Sequence, residues 1–186
     1  MKADVGDYFY RLLHPSLTVL LISKSGSKVN VMACSWCMPV SEDPPLVAVA
    51  VSKDSLTNQL IRESGEFTIS IPPSTMLAQV WKAGTVSGRK VDKIRELGLK
   101  LAPPKATSTP SIDGCLASLE CKVANEVEAG ECTLFIGEVK AAYADRRVFK
   151  RGLWDLSRAD LLLHLGSRQF TVPHERVQPP KQASRT

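Results

Sequence analysis

Residues 28–52 (KVNVMACSWCMPVSEDPPLVAVAVS) constrain the fold most, because they join two strongly β-forming runs through a proline-rich bend. Over residues 29–36, small or β-branched side chains alternate with larger polar or polarizable ones, and this period of two places each set on one face of a strand. Prolines at positions 39, 44 and 45 interrupt a hydrogen-bonded ladder, since proline has no backbone donor. The uninterrupted apolar run LVAVAV then predicts a strand covered on both sides.

The first of these strands has two interpretations. It is either core β-structure or a docking face for a flat ligand with polar edges. Asn30 and Trp36 are six residues apart in the sequence, about 20 Å in an extended chain, which is about the length of a mononucleotide cofactor. The small side chains of Ala33 and Ser35 would let such a ligand approach the backbone. These residues alone leave both interpretations open.

A helix is predicted directly after the second strand, with Asp54 or Ser55 at its N-cap and Gly65 at its end. Ser52, Ser55 and Thr57 therefore cluster at a helix N-terminus that follows a buried strand. Free backbone N–H groups and the positive end of the helix dipole favour a phosphate at such a place. Ordinary capping by Ser55 explains the same residues equally well.

The composition is that of an ordinary globular domain with a modest positive charge. The 186 residues are 44% hydrophobic and 23% charged, with a net charge of +5, which predicts one domain with a sizeable core. Basic residues are scattered among acidic ones rather than interleaved with aromatics, so we expect no nucleic-acid partner. The positive balance suits a small anionic ligand.

The N-terminal segment MKADVGDYFYRLL contains two aspartates and no apolar core segment, so we expect no secretory leader. The apolar run at residues 17–22 is far too short to cross a bilayer. We therefore expect a cytoplasmic protein with no membrane partner.

The five cysteines are an odd number, which argues against a complete disulfide framework. Cys34 and Cys37 form a C-x-x-C motif, but no second compact pair of ligands accompanies it, so we expect no metal site. A thioredoxin-like motif would open a helix after a strand, whereas Pro39 and the β pattern oppose a helix here. Buried thiols that pack as small hydrophobes are the favoured interpretation.

The remaining sequence predicts many short strands and a few short helices, which together indicate a β-barrel or sandwich. One domain is expected over residues 1–172, followed by a polar tail at 173–186. Lys93 lies off the apolar stripe of its predicted helix, so it is either solvated or paired with an anion. The expected helices are at residues 5–15, 74–83 and 91–97, and the expected long strands are at 112–127 and 133–144.

Six motifs occur in a characteristic order over nearly the whole chain. They are N-x-M-x-x-S-W (30–36), D-P-P-L-V-A-V-A-V (43–51), S-x-x-S-x-T (52–57), S-G-x-x-V-D-K (87–93), T-L-F-I-G-E-V (133–139) and H-L-G-x-x-x-F (164–170). In this order and spacing the chain resembles the flavin reductase-like family of FMN-binding split barrels, and its flavoredoxin branch most of all. The resemblance covers about residues 5–172 and implies a mainly β fold, a six-stranded Greek-key split β-barrel with a few short helices. It also implies an obligate homodimer that holds FMN near the subunit interface.

The resemblance also implies the residues that contact FMN. Isoalloxazine contacts fall on the strand from Asn30 to Trp36, partly through backbone groups, and phosphate contacts fall on the Ser52 to Thr57 region and on Lys93. The full set of implied cofactor residues is Asn30, Met32, Ala33, Ser35, Trp36, Ser52, Ser55, Thr57, Ser87, Lys93, Cys132 and Phe170. The family often has histidine at the position of Cys132, and a thiol is a poorer donor with no positive charge near neutral pH.

The function implied by the resemblance is that of an FMN-dependent oxidoreductase. NADH or NADPH would reduce the bound FMN, and a free flavin, a metal complex or another acceptor would reoxidise it. The alternatives are an electron carrier of the flavoredoxin type that a partner protein reduces, and a module that stores or senses flavin. No catalytic side chain is assigned, because the cofactor carries the hydride chemistry and the protein supplies position and hydrogen bonds.

Overall fold

The structure is a computed structural model that describes residues 1–179. Its helices are two 3₁₀ helices, Gly6–Leu13 and Ser74–Met76, and the α-helices α1 (Leu56–Ser64), α2 (Leu77–Thr85) and α3 (Lys93–Glu96). Its strands are β1 (Ser16–Leu17), β2 (Val19–Ser25), β3 (Lys28–Cys34), β4 (Cys37–Ser41), β5 (Leu46–Ser52), β6 (Glu66–Ile71), β7 (Leu101–Ala102), β8 (Ser111–Ile112), β9 (Ala117–Ala129), β10 (Cys132–Ala144), β11 (Phe149–Lys150), β12 (Leu153–Trp154), β13 (Leu163–Gly166) and β14 (Gln169–Thr171). The prediction of a mainly β fold with a few short helices is confirmed. No helix within residues 1–179 is long and apolar enough to cross a membrane.

Seven antiparallel strands form the central sheet, in the order β3-β2-β6-β9-β10-β5-β4. The resemblance implies six strands, and the seventh is β4, which pairs with the outer edge of β5. Cα atoms of β3 and β5 come within 8 Å of each other although the two strands are not neighbours in the sheet order. The sheet therefore curls into a barrel that is split between β3 and β5.

Two apolar cores lie on opposite faces of this sheet. The inner core fills the barrel and contains Leu21, Val49 and Phe67. The outer core packs Val80 of α2 and neighbouring residues against β2 and β3, including Val31. Alternate residues of β2 belong to the two cores, which explains why its sequence VLLI is apolar without interruption.

Strand β5 is buried on one face and only partly covered on the other. Val49 and Val51 are fully buried in the barrel, whereas Ala50 is partly exposed and lines an apolar groove together with Leu134. The prediction of cover on both sides therefore holds at Ala48, which is buried, and is wrong at Ala50, which faces the groove.

Helix α3 is shorter than the helix predicted over residues 91–97. Asp92 begins it by accepting a hydrogen bond from the amide of Arg95 at 3.1 Å. Before Asp92, the amides of Lys90 and Val91 donate to the carbonyl of Ser87 and form a turn. The apolar residues of this segment therefore belong to two elements, a hydrogen-bonded turn and the short helix α3. Both elements point their apolar side chains toward the protein interior.

A fully buried carboxylate holds the proline-rich loop at residues 103–110 against the sheet. Glu120 of β9 accepts hydrogen bonds from the amides of Lys105, Ala106 and Thr107 at 2.7–3.0 Å, and from the hydroxyl of Tyr143 at 3.0 Å. Burial raises the pKa of Glu120, but these hydrogen bonds outweigh it and keep the pKa below its ordinary value. The ionised side chain is thus satisfied within the protein.

We expect Glu120→Gln to lower the free energy of unfolding by about 2 kcal/mol at neutral pH, because a carboxamide would turn a donor toward backbone donors. A lowered folded-state pKa stabilises the fold above the unfolded value of about 4.3, and this stabilisation is lost as the pH falls through the folded value. The difference between wild type and variant should therefore shrink in acid. Urea unfolding at neutral and acidic pH measures it, with the exposed Glu42→Gln as control. Equal stabilities at neutral pH would contradict the prediction.

Candidate functional site

A cleft of about 270 Å³ lies at the end of β3, between α2 and the β13–β14 hairpin. We call it the ring cleft. Four of the residues predicted to hold a flavin line it, namely Ala33, Ser35, Trp36 and Phe170. The remaining lining residues were not predicted, although the motif H-L-G-x-x-x-F contains two of them: Thr18, Val80, Trp81, Gly84, Thr85, His164 and Ser167.

Aromatic rings form one wall of the ring cleft. The ring centroid of Phe170 lies 4.9 Å from that of His164 and 6.5 Å from that of Trp81. Nε2 of His164 lies 3.0 Å from the carbonyl oxygen of Ser167, and Nδ1 of His14 lies 2.7 Å from the carbonyl oxygen of His164. Because a carbonyl only accepts, both nitrogens carry hydrogen, and Nδ1 of a neutral His164 is an acceptor. Flat surfaces of this kind suit a planar ring system.

Both faces of β3 are covered up to the cleft. The side chains of Met32 and Cys34 pack against the inner core, while those of Val31 and Ala33 lie under α2. The thioether and the thiol of this strand therefore fill the barrel, and a flavin contact from Met32 stays a prediction. At its end, the strand presents the small residues Ala33 and Ser35 to the ring cleft. Met32 is not among the residues that line this cleft.

We call a second polar region the polar cradle. It comprises Asn30, Thr57 and Gly88, which lie against one another, and Lys93, whose helix α3 contacts β3. Asn30 is buried, and its Nδ2 donates to Oγ1 of Thr57 at 2.8 Å, which ties β3 to the first turn of α1. Gly88 lies directly on this pair, since a Cβ at that position would be 2.1 Å from Oδ1 of Asn30. Only glycine allows the backbone of this loop to come so close.

Lys93 is the charged member of the cradle and is only 5% exposed. Its Nζ donates to the carbonyl oxygen of Ala83 at 2.6 Å, which uses one of three N–H groups. Burial lowers the pKa of Lys93 to about 8, so the ammonium form still predominates at neutral pH. A buried ammonium whose protein acceptor is a neutral carbonyl matches an anionic ligand such as a phosphate.

The last turn of α2 joins the ring cleft to the polar cradle. The carbonyl of Ala83 bonds Lys93, while the next residue, Gly84, lines the ring cleft. A Cβ at Gly84 would lie 3.2 Å from the Cβ of Ala33. The same helical turn therefore borders a cleft with aromatic walls and contacts a buried ammonium group.

The serines near the cradle make local contacts. Oγ of Ser55 accepts from the amide of Asn58 at 3.1 Å and donates to the carbonyl of Ser52 at 2.8 Å, as an N-cap does. Ser87 is exposed, and its Oγ accepts from the amide of Arg89 at 3.3 Å. Phosphate contacts from Ser52, Ser55 and Ser87 stay predictions, and the amides of Leu56 and Thr57 are further donors without an acceptor in the helix.

The thiols near the site are protonated. All five cysteines are free. Burial raises the pKa of Cys34 to about 12 and that of Cys37 to about 11, in agreement with their interpretation as packed thiols. Cys132 begins β10 opposite Ser52, is partly buried, and has its pKa raised by that burial. A neutral thiol at Cys132 carries no positive charge, and its contact with a flavin stays a prediction.

Comparisons with known proteins agree with this geometry. Residues 10–170 match the family described as flavin reductase like domain. An uncharacterized protein of Archaeoglobus fulgidus is 40% identical over 169 residues, which are 90% of this chain and 94% of that protein. Flavoredoxin of Desulfovibrio vulgaris has a TM-score of 0.87 at 29% identity, with 100% of both chains covered.

An FMN-binding protein of Thermus thermophilus, solved with bound 1-cyclohex-2-enone, has a TM-score of 0.83 at 25% identity, covering 96% of this chain and 97% of that one. The barrel split between β3 and β5 is thus a fold that this chain shares with flavin-binding proteins of known structure. From the match over residues 10–170 and these similarities, the chain belongs to the flavin reductase-like family and has its split-barrel fold.

Proposed function

We propose that this chain holds FMN and acts as an oxidoreductase that passes electrons from NADH or NADPH to a flavin, a metal complex or another acceptor. The observation that carries the proposal is the buried Lys93 ammonium, which bonds the same helical turn that lines an aromatic cleft. FMN has the same two parts, a planar ring and a phosphate. The flavin-related redox role is common to the family, and the similarity to proteins named as flavoredoxin and as FMN-binding supports FMN as the flavin.

In the proposed complex, each region of the site has one task. The isoalloxazine ring lies in the ring cleft against Ser35 and Trp36, with Phe170 at its side. The phosphate is bound by Lys93 and the first-turn amides of α1, where the helix dipole adds to the attraction. Bound FMN supplies the hydride and electron chemistry, and the residues around it exclude water and fix the ring.

The visible absorption spectrum of the purified protein, before and after anaerobic addition of NADH or NADPH, tests this function. We expect the absorption of oxidised flavin, and rapid bleaching on addition of one of the two nucleotides. A colourless protein whose melting temperature FMN does not raise would overturn the cofactor assignment. A coloured protein that neither nucleotide bleaches would instead support the electron-carrier or flavin-storage alternatives.

We expect Lys93→Met to weaken FMN binding about 10- to 100-fold, because it removes a charge-assisted hydrogen bond and keeps most of the side-chain volume. Binding of riboflavin, which has no phosphate, should change little. Fluorescence titration of both flavins measures the two dissociation constants. The exposed Lys100→Met is the control with the same loss of charge. Equal losses for FMN and riboflavin would remove Lys93 from the phosphate site.

We expect Cys132→His to change the flavin reduction rate or its midpoint potential, since an imidazole adds a stronger donor and a group that is charged in part near neutral pH. Stopped-flow reduction and redox titration measure the two quantities. The buried Cys121→Ala, which lies in the inner core, controls for the loss of a thiol. Unchanged kinetics and potential would show that position 132 does not face the ring.

We further propose that the chain is a homodimer and that its apolar face forms the interface. This face consists of Phe9, Leu12, Leu13, Met38 and Val40, all of them exposed. A groove of about 450 Å³ borders it and is lined by Leu13, Met38, Ala50 and Leu134. Exposed apolar side chains in this number are typical of an association surface. Trp36 lines both this groove and the ring cleft, so the proposed cofactor lies beside the interface.

We expect Leu13→Asp to convert the dimer to a monomer, because it buries a charge in the apolar interface. Sedimentation equilibrium measures the mass. Leu153→Asp is the matched control, since Leu153 is also exposed but lies on the β11–β12 hairpin, outside the apolar face. A dimer that persists in Leu13→Asp, or a monomeric wild type, would contradict the proposal.

A further inference from the structure

Five exposed cations lie on the elements that carry the ring cleft and the polar cradle, namely α2, the turn after it, α3 and the β13–β14 hairpin, and we call them the cationic face. None of the five lies within 4.0 Å of a carboxylate in residues 1–179, whereas cations such as Lys53, Arg62 and Arg147 form ion pairs. The members of the cationic face are Lys82, Arg89, Lys90, Arg95 and Arg168.

The net charge of the chain is concentrated on this side of the molecule. Residues 82–100 contain six Lys or Arg and two Asp or Glu, a balance of +4 out of a total of +5. The rest of the chain is therefore close to neutral. The positive field at the cleft is a property of α2, α3 and the turn between them, and it attracts anionic partners over a Debye length.

The cations are adjacent to the residues of the site. Lys82 follows Trp81, whose ring lines the ring cleft, and Cζ of Arg168 lies 5.4 Å from the centroid of that ring. Arg89 follows Gly88 of the cradle and donates to Oε1 of Gln59 at 2.9 Å, which holds its guanidinium over α1. A partner that is attracted by these charges is thus brought to the mouth of the ring cleft.

The distribution of the charges fits a protein better than a small anion. They occur on α2, on the turn after it, on α3 and on the β13–β14 hairpin, and α2 alone is about 13 Å long. A small anion is bound by donors that converge on one point, whereas a protein surface is recognised by separate charges around an apolar centre. Leu77 and Val86, at the two ends of α2, are exposed apolar residues on this face.

We propose that the cationic face is the docking surface for a small acidic electron-transfer protein with a one-electron metal centre, which exchanges electrons with FMN in the ring cleft. This inference rests on the proposed function. Reoxidation of one two-electron-reduced FMN would reduce two ferric centres of the partner, by one electron each. The two protons of the reduced flavin would be released to water. The charges steer the encounter, and the ring cleft lies within the contact area.

The test uses holoprotein whose flavin is reduced by light, mixed anaerobically with an acidic rubredoxin as the probe. We expect fast reduction of the rubredoxin at low ionic strength and a fall in the second-order rate constant as salt is added. The double variant Lys82→Glu/Arg95→Glu should lower that rate constant about tenfold or more. The control Arg146→Glu/Lys150→Glu makes the same change of net charge at exposed sites elsewhere and should change it by less than about twofold.

Equal rates for the two double variants, or no transfer from a protein with reduced flavin, would overturn the docking surface. A normal rate with rubredoxin together with weaker NADPH binding in Lys82→Glu/Arg95→Glu would assign the charges to a small nucleotide and would also overturn it. The flavin content of every sample is read from its visible spectrum. Absence of bound flavin would count against the proposed function, whereas a flavin-loaded protein with charge-insensitive transfer would count only against the docking surface.

Discussion

The close packing of α2 on β3 is the contact on which the rest of the site depends. Gly84 and Ala33 meet at a distance that leaves no room for larger side chains. The same contact buries Val80 and Ala83 in the outer core, so the helix is fixed by apolar packing rather than by its own propensity. Once it is fixed, its last turn presents the Ala83 carbonyl to Lys93 and opens the ring cleft beside Gly84. A shift of α2 would therefore disturb the cleft and the cradle together.

Two buried charges show how the protein separates structural from ligand-binding groups. Glu120 is surrounded by backbone amides and a tyrosine hydroxyl, so its charge is balanced by donors that the fold itself supplies. Lys93 has a single carbonyl as its hydrogen-bond acceptor in residues 1–179. Burying an ammonium with so little compensation costs free energy, as its lowered pKa shows. Such a cost is typical of a site whose remaining partner is a bound anion.

The sequence allowed much of the fold to be predicted, because its local signals agree with one another. Alternation and proline breaks gave β3 and β5 to within one or two residues, and Ser55 and Gly65 bound α1 as their side-chain chemistry requires. The length of α3 was predicted less well. The helical spacing of its apolar residues continues into the preceding turn. A turn followed by a short helix can produce the same apolar spacing as one longer helix.

The sequence by itself determined the strands, the cap of α1, the charge balance and, through six ordered motifs, the family. Only the tertiary structure decided which neighbours cover the two faces of β3, that Lys93 is buried rather than solvated, and that Trp81 and His164 complete the cleft. The physical reason is that alternation along a strand shows that its two faces differ in polarity. It does not show which neighbouring element covers each face. That choice depends on where a distant helix packs, and the packing of α2 is set by contacts between residues far apart in the chain.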